Sequence, residues 1–173
     1  RKELKYNLCF IGAQSYPKSL TISRNMGIEE ISKDSQIVLF LDDDVRLDIN
    51  YIDAILDVFD RYDAYGVTGY LDQSKFIIPR TVNIIFYFAS YRGRVLHSSE
   101  AESIAQIERV TNVQWLSGCN MSYKKEVFNK LKFDEKLKRW SYKEDVDFSY
   151  RVYKEYGKLY VTPDAKVIHL SDN

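Results

Sequence analysis

Cysteine is scarce in these 173 residues: Cys9 and Cys119 are the only two. Two thiols so far apart make neither a disulfide framework nor a metal-binding cysteine motif, which fits a reducing compartment. An excess of charge of either sign is also missing, because 25 Lys and Arg balance 25 Asp and Glu. A neutral chain offers no broad surface to a polyanion, so nucleic acid is not an expected partner. No run approaches the roughly 18 apolar residues of a membrane-spanning helix. The opening Arg-Lys-Glu-Leu-Lys-Tyr lacks the long apolar stretch of a signal peptide. Repeats, low-complexity tracts and linkers are lacking as well. What remains is a single domain's worth of chain, 45% hydrophobic and long enough to bury a core.

The most unusual stretch is 38–45, Val-Leu-Phe-Leu-Asp-Asp-Asp-Val, in which an apolar run ends in three consecutive carboxylates. The apolar part reads as a buried strand, and the open end of such a strand in an α/β sheet is where ligands sit. Side chains alternate along an extended chain, so Asp42 and Asp44 share one face, roughly 7 Å apart, while Asp43 points away. Two converging carboxylates repel unless a cation lies between them, and hard oxygen ligands suit magnesium or manganese. A solvated acidic turn would show the same residues, since Asp is also a common turn and cap residue.

Around that stretch the pattern alternates strands and helices. Residues 6–11 read as a short strand, and 19–31 as a helix capped by Ser19 or Thr21, with Ile22, Met26 and Ile31 on one side. Asp48 can cap a helix running to about Tyr62, whose Ile52, Ile55, Leu56 and Phe59 form a core stripe at helical spacing. Residues 66–71 are the next strand, giving the strand, helix, strand order of an α/β sheet. Pro79 breaks the following segment. The aromatic run 84–88 fits a buried helix or strand better than a membrane-surface or acceptor-lining segment, and 94–97 reads as a strand ending at His97.

In the second half, 113–122 reads as a strand running into Gly118, where backbone can approach a ligand closely or simply bulge. Residues 124–131 resemble a short helix and Phe133-Asp134-Glu135 a turn. Residues 141–148 open a helix that Gly157 can terminate. Its acidic start, Glu144, Asp145 and Asp147, is favoured by the helix dipole alone, and Asp147 can pair with Arg151 one turn on. Residues 159–161 and 166–170 are short strand candidates around Pro163, with His169 near the end.

Taken in order, these pieces resemble family 2 glycosyltransferases of the GT-A fold, particularly bacterial enzymes of surface polysaccharide synthesis. Arg24-Asn25 with Gly27 is similar to the helix motif before the metal strand. Leu41-Asp42-Asp43-Asp44 resembles the Asp-X-Asp motif, and Gly118-Cys119-Asn120-Met121 the acceptor-side glycine segment. Phe133-Asp134-Glu135, Glu144-Asp145, Arg151, Gly157, Pro163 and His169 complete the second half. The resemblance covers about residues 20–170 and implies a Rossmann-like α/β fold with a mixed, mainly parallel sheet flanked by helices. The family's first strand-helix-strand unit, with its nucleotide-base aspartate, has no counterpart here, so the expectation is one catalytic domain over 1–173 that lacks this unit.

What the resemblance implies for chemistry is inverting transfer of a sugar from a nucleoside-diphosphate donor to the hydroxyl of a saccharide or lipid-linked saccharide. Asp44, with Asp42 and His169, would hold manganese or magnesium. Arg24, Asp42 and Asp43 would lie on the nucleotide side. Asp145 would be the catalytic base, with Glu144 orienting it or touching the acceptor. Gly118 and Asn120 would shape the sugar pocket, and Trp115 or Trp140 would stack on a sugar face. A cytoplasmic location at the inner face of the membrane, with peripheral association, goes with that role. Two other readings use the same residues. One is a haloacid-dehalogenase-like phosphatase with Asp42 as nucleophile, and the other a non-catalytic sugar-binding or packing fragment.

Overall fold

A computed structural model describes residues 8–16, 18–71, 89–91, 94–96, 107–137 and 143–170. The aromatic run 84–88, Pro79, His97 and Trp140 lie outside the described residues.

The order is α1 (Leu20–Glu29), β1 (Ile37–Leu39), β2 (Val45–Leu47), α2 (Tyr51–Tyr62), β3 (Gly66–Leu71), β4 (Ala89–Tyr91), β5 (Arg94–Leu96), β6 (Thr111–Val113) and β7 (Met121–Lys124). A 3₁₀ helix (Lys125–Asn129), α3 (Glu144–Tyr156) and β8 (Leu159–His169) follow. Six strands form one sheet in the order β1-β7-β3-β8-β2, with β6 also paired to β8, and β4 and β5 form a separate hairpin. The expected mixed α/β sheet is present. The expectation that it is mainly parallel is corrected: among the described residues only β3 and β8 run parallel, and every other pairing is antiparallel.

Both faces of the sheet are covered, which explains the apolar runs in its strands. In and just beyond β1 the side chains divide by parity: Val38 and Phe40 pack with one core cluster, Ile37 and Leu39 with the other. The first cluster joins Met121 and Tyr123 of β7 to Phe148 and Val152 of α3 and to Phe128 and Phe133. There the Phe133 and Phe148 rings stack at 4.1 Å, and Tyr123 meets Phe148 edge-on. The second cluster seats Tyr51, Ile55, Val58 and Phe59 of α2 on Val67, Ala165 and Val167. That stripe matches the expected one, with Ile52 and Leu56 half-buried at its margin.

Helix α1 departs from its apolar pattern. Its buried face carries Thr21, Arg24, Asn25 and Ile28, while Met26 is exposed. The reason lies in its neighbours: Asn25 donates to the Phe133 carbonyl and to Glu135 and accepts the Phe133 N–H, so the polar face has partners built for it. The helix also stops at Glu29, before the Ile31 expected within it.

The two short strands expected near the C-terminus are one strand, β8. Its pairing with β3 steps from Gly69 opposite Thr162 to Tyr70 opposite Lys166, so the segment holding Pro163 bulges out and the ladder loses nothing to the missing N–H. Gly69 faces that bulge, where a Cβ would lie 2.3 Å from the Ala165 carbonyl oxygen. Gly157, with φ of 72°, ends α3 as expected.

Candidate functional site

The aspartates do not extend β1; they form the turn between β1 and β2. Backbone pairing still guides the chain into that turn, because the N–H groups of Phe40 and Asp42 donate to the carbonyls of Met121 and Cys119. Asp42 and Asp44 are half-buried and Asp43 is exposed, the alternation expected of extended chain. Strand β2 then returns antiparallel to β8 with Val45 opposite His169, and the Leu170 N–H donates to the Asp44 carbonyl. That register carries His169 to the turn.

Asp42, Asp44 and His169 each turn one ligand atom into a group whose members lie within 4.8 Å of one another, and His169 Nε2 is 3.4 Å from Asp44 Oδ1. The carboxylates stand closer than the 7 Å spacing of an ideal strand because the chain turns at them. Two carboxylate oxygens and an imidazole nitrogen, partly exposed and open to further ligands, suit manganese or magnesium. Burial raises the Asp42 carboxyl above its ordinary range; the Arg24 and His169 charges oppose this, while Asp44 and Asp43 add to it.

The second acidic group stands at the head of α3. Lys143 precedes it with φ of 71°, so the chain turns sharply into the helix. Asp145 accepts the Gly118 N–H through Oδ2 at 3.0 Å and the Val146 N–H through Oδ1 at 2.8 Å. Burial pushes the Asp145 carboxyl up, and these two N–H groups and Arg24 pull it part of the way back. Glu144 is buried, and its carboxyl is raised by burial and by the Asp145 charge against the pull of Arg24.

Arg24 joins the two groups. Its Nη1 donates to Glu144 Oε1 at 2.5 Å, its Nη2 donates to the Gly118 carbonyl at 3.2 Å, and Nη2 lies 3.9 Å from Asp42 Oδ1. The guanidinium also sits over the Phe133 ring at 5.3 Å. A Cβ on Gly118 would be 3.3 Å from both Arg24 Nη2 and Asp145 Oδ2. Gly118 is thus the point where the two acidic groups approach each other.

The structure therefore brings Arg24, Asp42, Asp44, Gly118, Glu144, Asp145 and His169 into one neighbourhood. For three expectations it gives a different role. Arg24 is buried between carboxylates rather than open toward a nucleotide. Asn120 is fully buried, and its Oδ1 accepts from the Gly69 N–H at 2.7 Å and the Thr68 hydroxyl at 2.6 Å, so the amide braces β3 instead of lining a sugar pocket. Trp115 is 4% exposed and has no open ring face to stack on a sugar. Sequence reasoning missed Tyr51, whose buried hydroxyl donates to Asn120 and ties α2 to the glycine segment. Its signal was a tyrosine heading an apolar stripe, which is also how an ordinary core residue looks.

No family model matches the chain, and no curated protein matches it in sequence. Among solved structures it is similar to GalNAc-T7 with UDP, GalNAc and Mn2+, at a TM-score of 0.57 and 13% identity over 87% of this chain and 30% of that one. A second structure, A197 from STIV, aligns at a TM-score of 0.49 and 18% identity over 89% of this chain and 69% of that one. The chain spans less than a third of the length of the GalNAc-T7 chain it matches. At such identity the likeness speaks for the fold alone, and that fold is the Rossmann-like GT-A arrangement of glycosyltransferases.

Proposed function

We propose that this chain carries the reaction centre of an inverting glycosyltransferase of the family 2 type, moving a sugar from a nucleoside diphosphate to a saccharide or lipid-linked hydroxyl. One observation carries the reading: a cation-ready Asp42, Asp44 and His169 group and a half-buried Asp145 stand on either side of Gly118, tied by a single arginine. The GT-A fold supports it, as does the manganese and UDP of the GalNAc-T7 structure.

Asp42, Asp44 and His169 would hold the divalent ion. Bound there, it would offset the negative charge that builds on the diphosphate leaving group. The remaining steps belong to this chain's own residues. The acceptor oxygen attacks the anomeric carbon from the face opposite the diphosphate. The bond to the diphosphate oxygen breaks with its electron pair leaving on that oxygen, and the hydroxyl proton passes to Asp145. Two backbone N–H groups fix the Asp145 carboxylate before substrate arrives, so little reorganisation is left to do. Its raised pKa makes it a better proton acceptor than an exposed aspartate. Glu144 holds Arg24 in place, and Arg24 keeps the acidic groups from repelling each other apart.

In this reading the domain acts in the cytoplasm at the membrane face in polysaccharide or glycoconjugate synthesis. Among the described residues no helix is long and apolar enough to cross a membrane. The haloacid-dehalogenase alternative loses its basis in the fold, whose likeness is to a glycosyltransferase. Calorimetry with manganese and UDP tests the proposal: binding of UDP that requires manganese and is lost in Asp44→Ala supports it. Heat from neither ligand leaves the non-catalytic fragment as the answer.

A further inference from the structure

Strand β3 pairs with β7 from Gly66 opposite Tyr123 to Thr68 opposite Met121, and in that register Asn120 comes next, opposite Gly69. There a side chain takes over from the backbone. The Gly69 N–H, which can only donate, reaches Asn120 Oδ1 at 2.7 Å, and the Thr68 and Tyr51 hydroxyls point to the same oxygen at 2.6 and 3.3 Å. Both hydroxyls also lie 3.2 Å from the Asn120 carbonyl oxygen. One fully buried amide thus holds the start of β7 against β3 and α2, while the backbone ahead of it is free to leave the sheet.

That backbone is the stretch 117–120, closed as a turn by the Asn120 N–H on the Ser117 carbonyl. Its peptide groups carry the site. The Gly118 N–H holds Asp145 Oδ2 at 3.0 Å, the Gly118 carbonyl accepts from Arg24, and the Cys119 carbonyl accepts the Asp42 N–H at 3.2 Å. A shift of the turn therefore reaches Asp145 and the cation group together. We propose that Asn120 is a positioning residue for sugar transfer: through this turn its amide sets both the Asp145 carboxylate and the stance of Asp42 toward the cation. The purpose given to the brace rests on the transferase reading above; its bonds do not. Losing an outer partner that orients a metal ligand typically weakens binding about 10- to 100-fold, and the low end applies here because Asn120 acts through the backbone.

The test pairs nuclear magnetic resonance on the chain labelled with ¹⁵N-glycine, which holds seven glycines, with calorimetric titration of magnesium. Gly118→Ala identifies the Gly118 cross-peak by its loss. In Asn120→Ala the Gly118 amide should exchange with solvent about tenfold faster, the effect of one net hydrogen bond, and magnesium should bind about tenfold more weakly. The controls are the parent and Ser122→Ala, each brought to the same stability with urea, and in them neither readout should move. Ser122 is buried and bonds the Val67 carbonyl in the same pair of strands, so its loss weakens the sheet without touching the brace. Thr68→Val removes the shortest bond to Asn120 Oδ1 in a side chain of the same shape; should Asn120→Ala not fold, both readouts must move in it instead. Values that match the controls overturn the proposal, and so does a change in one readout without the other. A parent chain that binds no magnesium sinks the transferase reading, and the Gly118 amide, which needs no ligand, then still upholds or overturns the brace.

Discussion

Asn25 and Phe133 lie 108 residues apart in sequence and are closed into a two-way pair: the Asn25 amide donates to the Phe133 carbonyl at 3.0 Å and accepts the Phe133 N–H at 2.9 Å. Asn25 is buried, and the adjacent Arg24 lies over the Phe133 ring. The pair therefore sets where Arg24 stands. Asn25→Ala should leave buried backbone groups unpaired and cost about 1–3 kcal/mol. Urea unfolding checks this, and a variant as stable as the parent would show that water replaces the amide without loss.

Cation binding should divide the three adjacent aspartates. Asp44→Ala is expected to weaken manganese binding by about tenfold or more, equivalent to roughly 1.4 kcal/mol. Asp43→Ala, at an exposed position turned away from the group, should leave it near parental. Titration calorimetry on the two variants separates a built site from general attraction to an acidic turn, in which both would weaken alike.

Asp145→Asn should lower turnover by about 10²- to 10⁴-fold while UDP and manganese still bind, since a base has been removed and the donor side is untouched. Glu144→Gln should behave differently, because it strips the buried Arg24 of its closest partner. Its expected mark is a loss of about 3 kcal/mol or more in stability together with a change in acceptor KM. Steady-state kinetics alongside thermal melts distinguish the two. An Asp145→Asn variant of normal kcat would transfer the base role elsewhere.

The raised carboxyl of Asp145 has a thermodynamic signature of definite sign. Its folded pKa lies above the unfolded value of 3.8, so the folded state binds this proton more tightly. The favourable contribution is complete below pH 3.8 and disappears as pH rises through the folded pKa. Measured against Asp145→Asn, the parent chain should accordingly gain relative stability as pH is lowered through that window. Urea midpoints at a series of pH values read this directly, and a parent that loses ground on acidification would mean that the two N–H bonds outweigh burial. Exposed Asp63, held down to about 2 by Lys124 and Lys158, has the opposite sign: its contribution exists above pH 3.8 and is lost as pH falls through 2.

Gly118→Ala places a Cβ 3.3 Å from Arg24 Nη2, from Asp145 Cβ and from Asp145 Oδ2. Side-chain ends can give by a few tenths of an ångström, so the chain should fold. Turnover should nonetheless fall about tenfold or more as Asp145 shifts, because small displacements of positioned groups are costly in rate. Unchanged kcat in a folded Gly118→Ala variant would dissociate this contact from catalysis.

Much of the site was legible because its motifs are local. The Asp42 and Asp44 alternation, the acidic start of α3 and the Gly157 stop each depend on a few neighbouring residues whose geometry is set by the backbone. The Asp147 to Arg151 pair forms as spacing implied, at 2.9 Å. What stayed hidden depends on long-range pairing. Nothing near Asn120 in sequence says that Thr68, Gly69 and Tyr51 converge on it. Met26 sat on an expected apolar face, yet the partners at Phe133, Glu135 and Glu144 made the opposite, polar face the buried one. Sheet direction was obscured for a similar reason, since strands covered on both faces read as continuous apolar runs whether their neighbours run parallel or antiparallel.

The bulge at Pro163 gives β8 the character of a vernier. On one side of it the strand is indexed to β3 by Thr162, and on the other by Lys166, three residues before His169. Deleting a single residue between them would preserve the first index and shift the second by one. Since side chains alternate along a strand, that shift reverses parity for everything downstream. Val167 would leave the core, and His169 would swing to the far side of the sheet from Asp42 and Asp44. Length in this short segment is therefore under a constraint that its identity is not: many residues can fill the bulge, but a count of the wrong parity turns the imidazole away from the two aspartates.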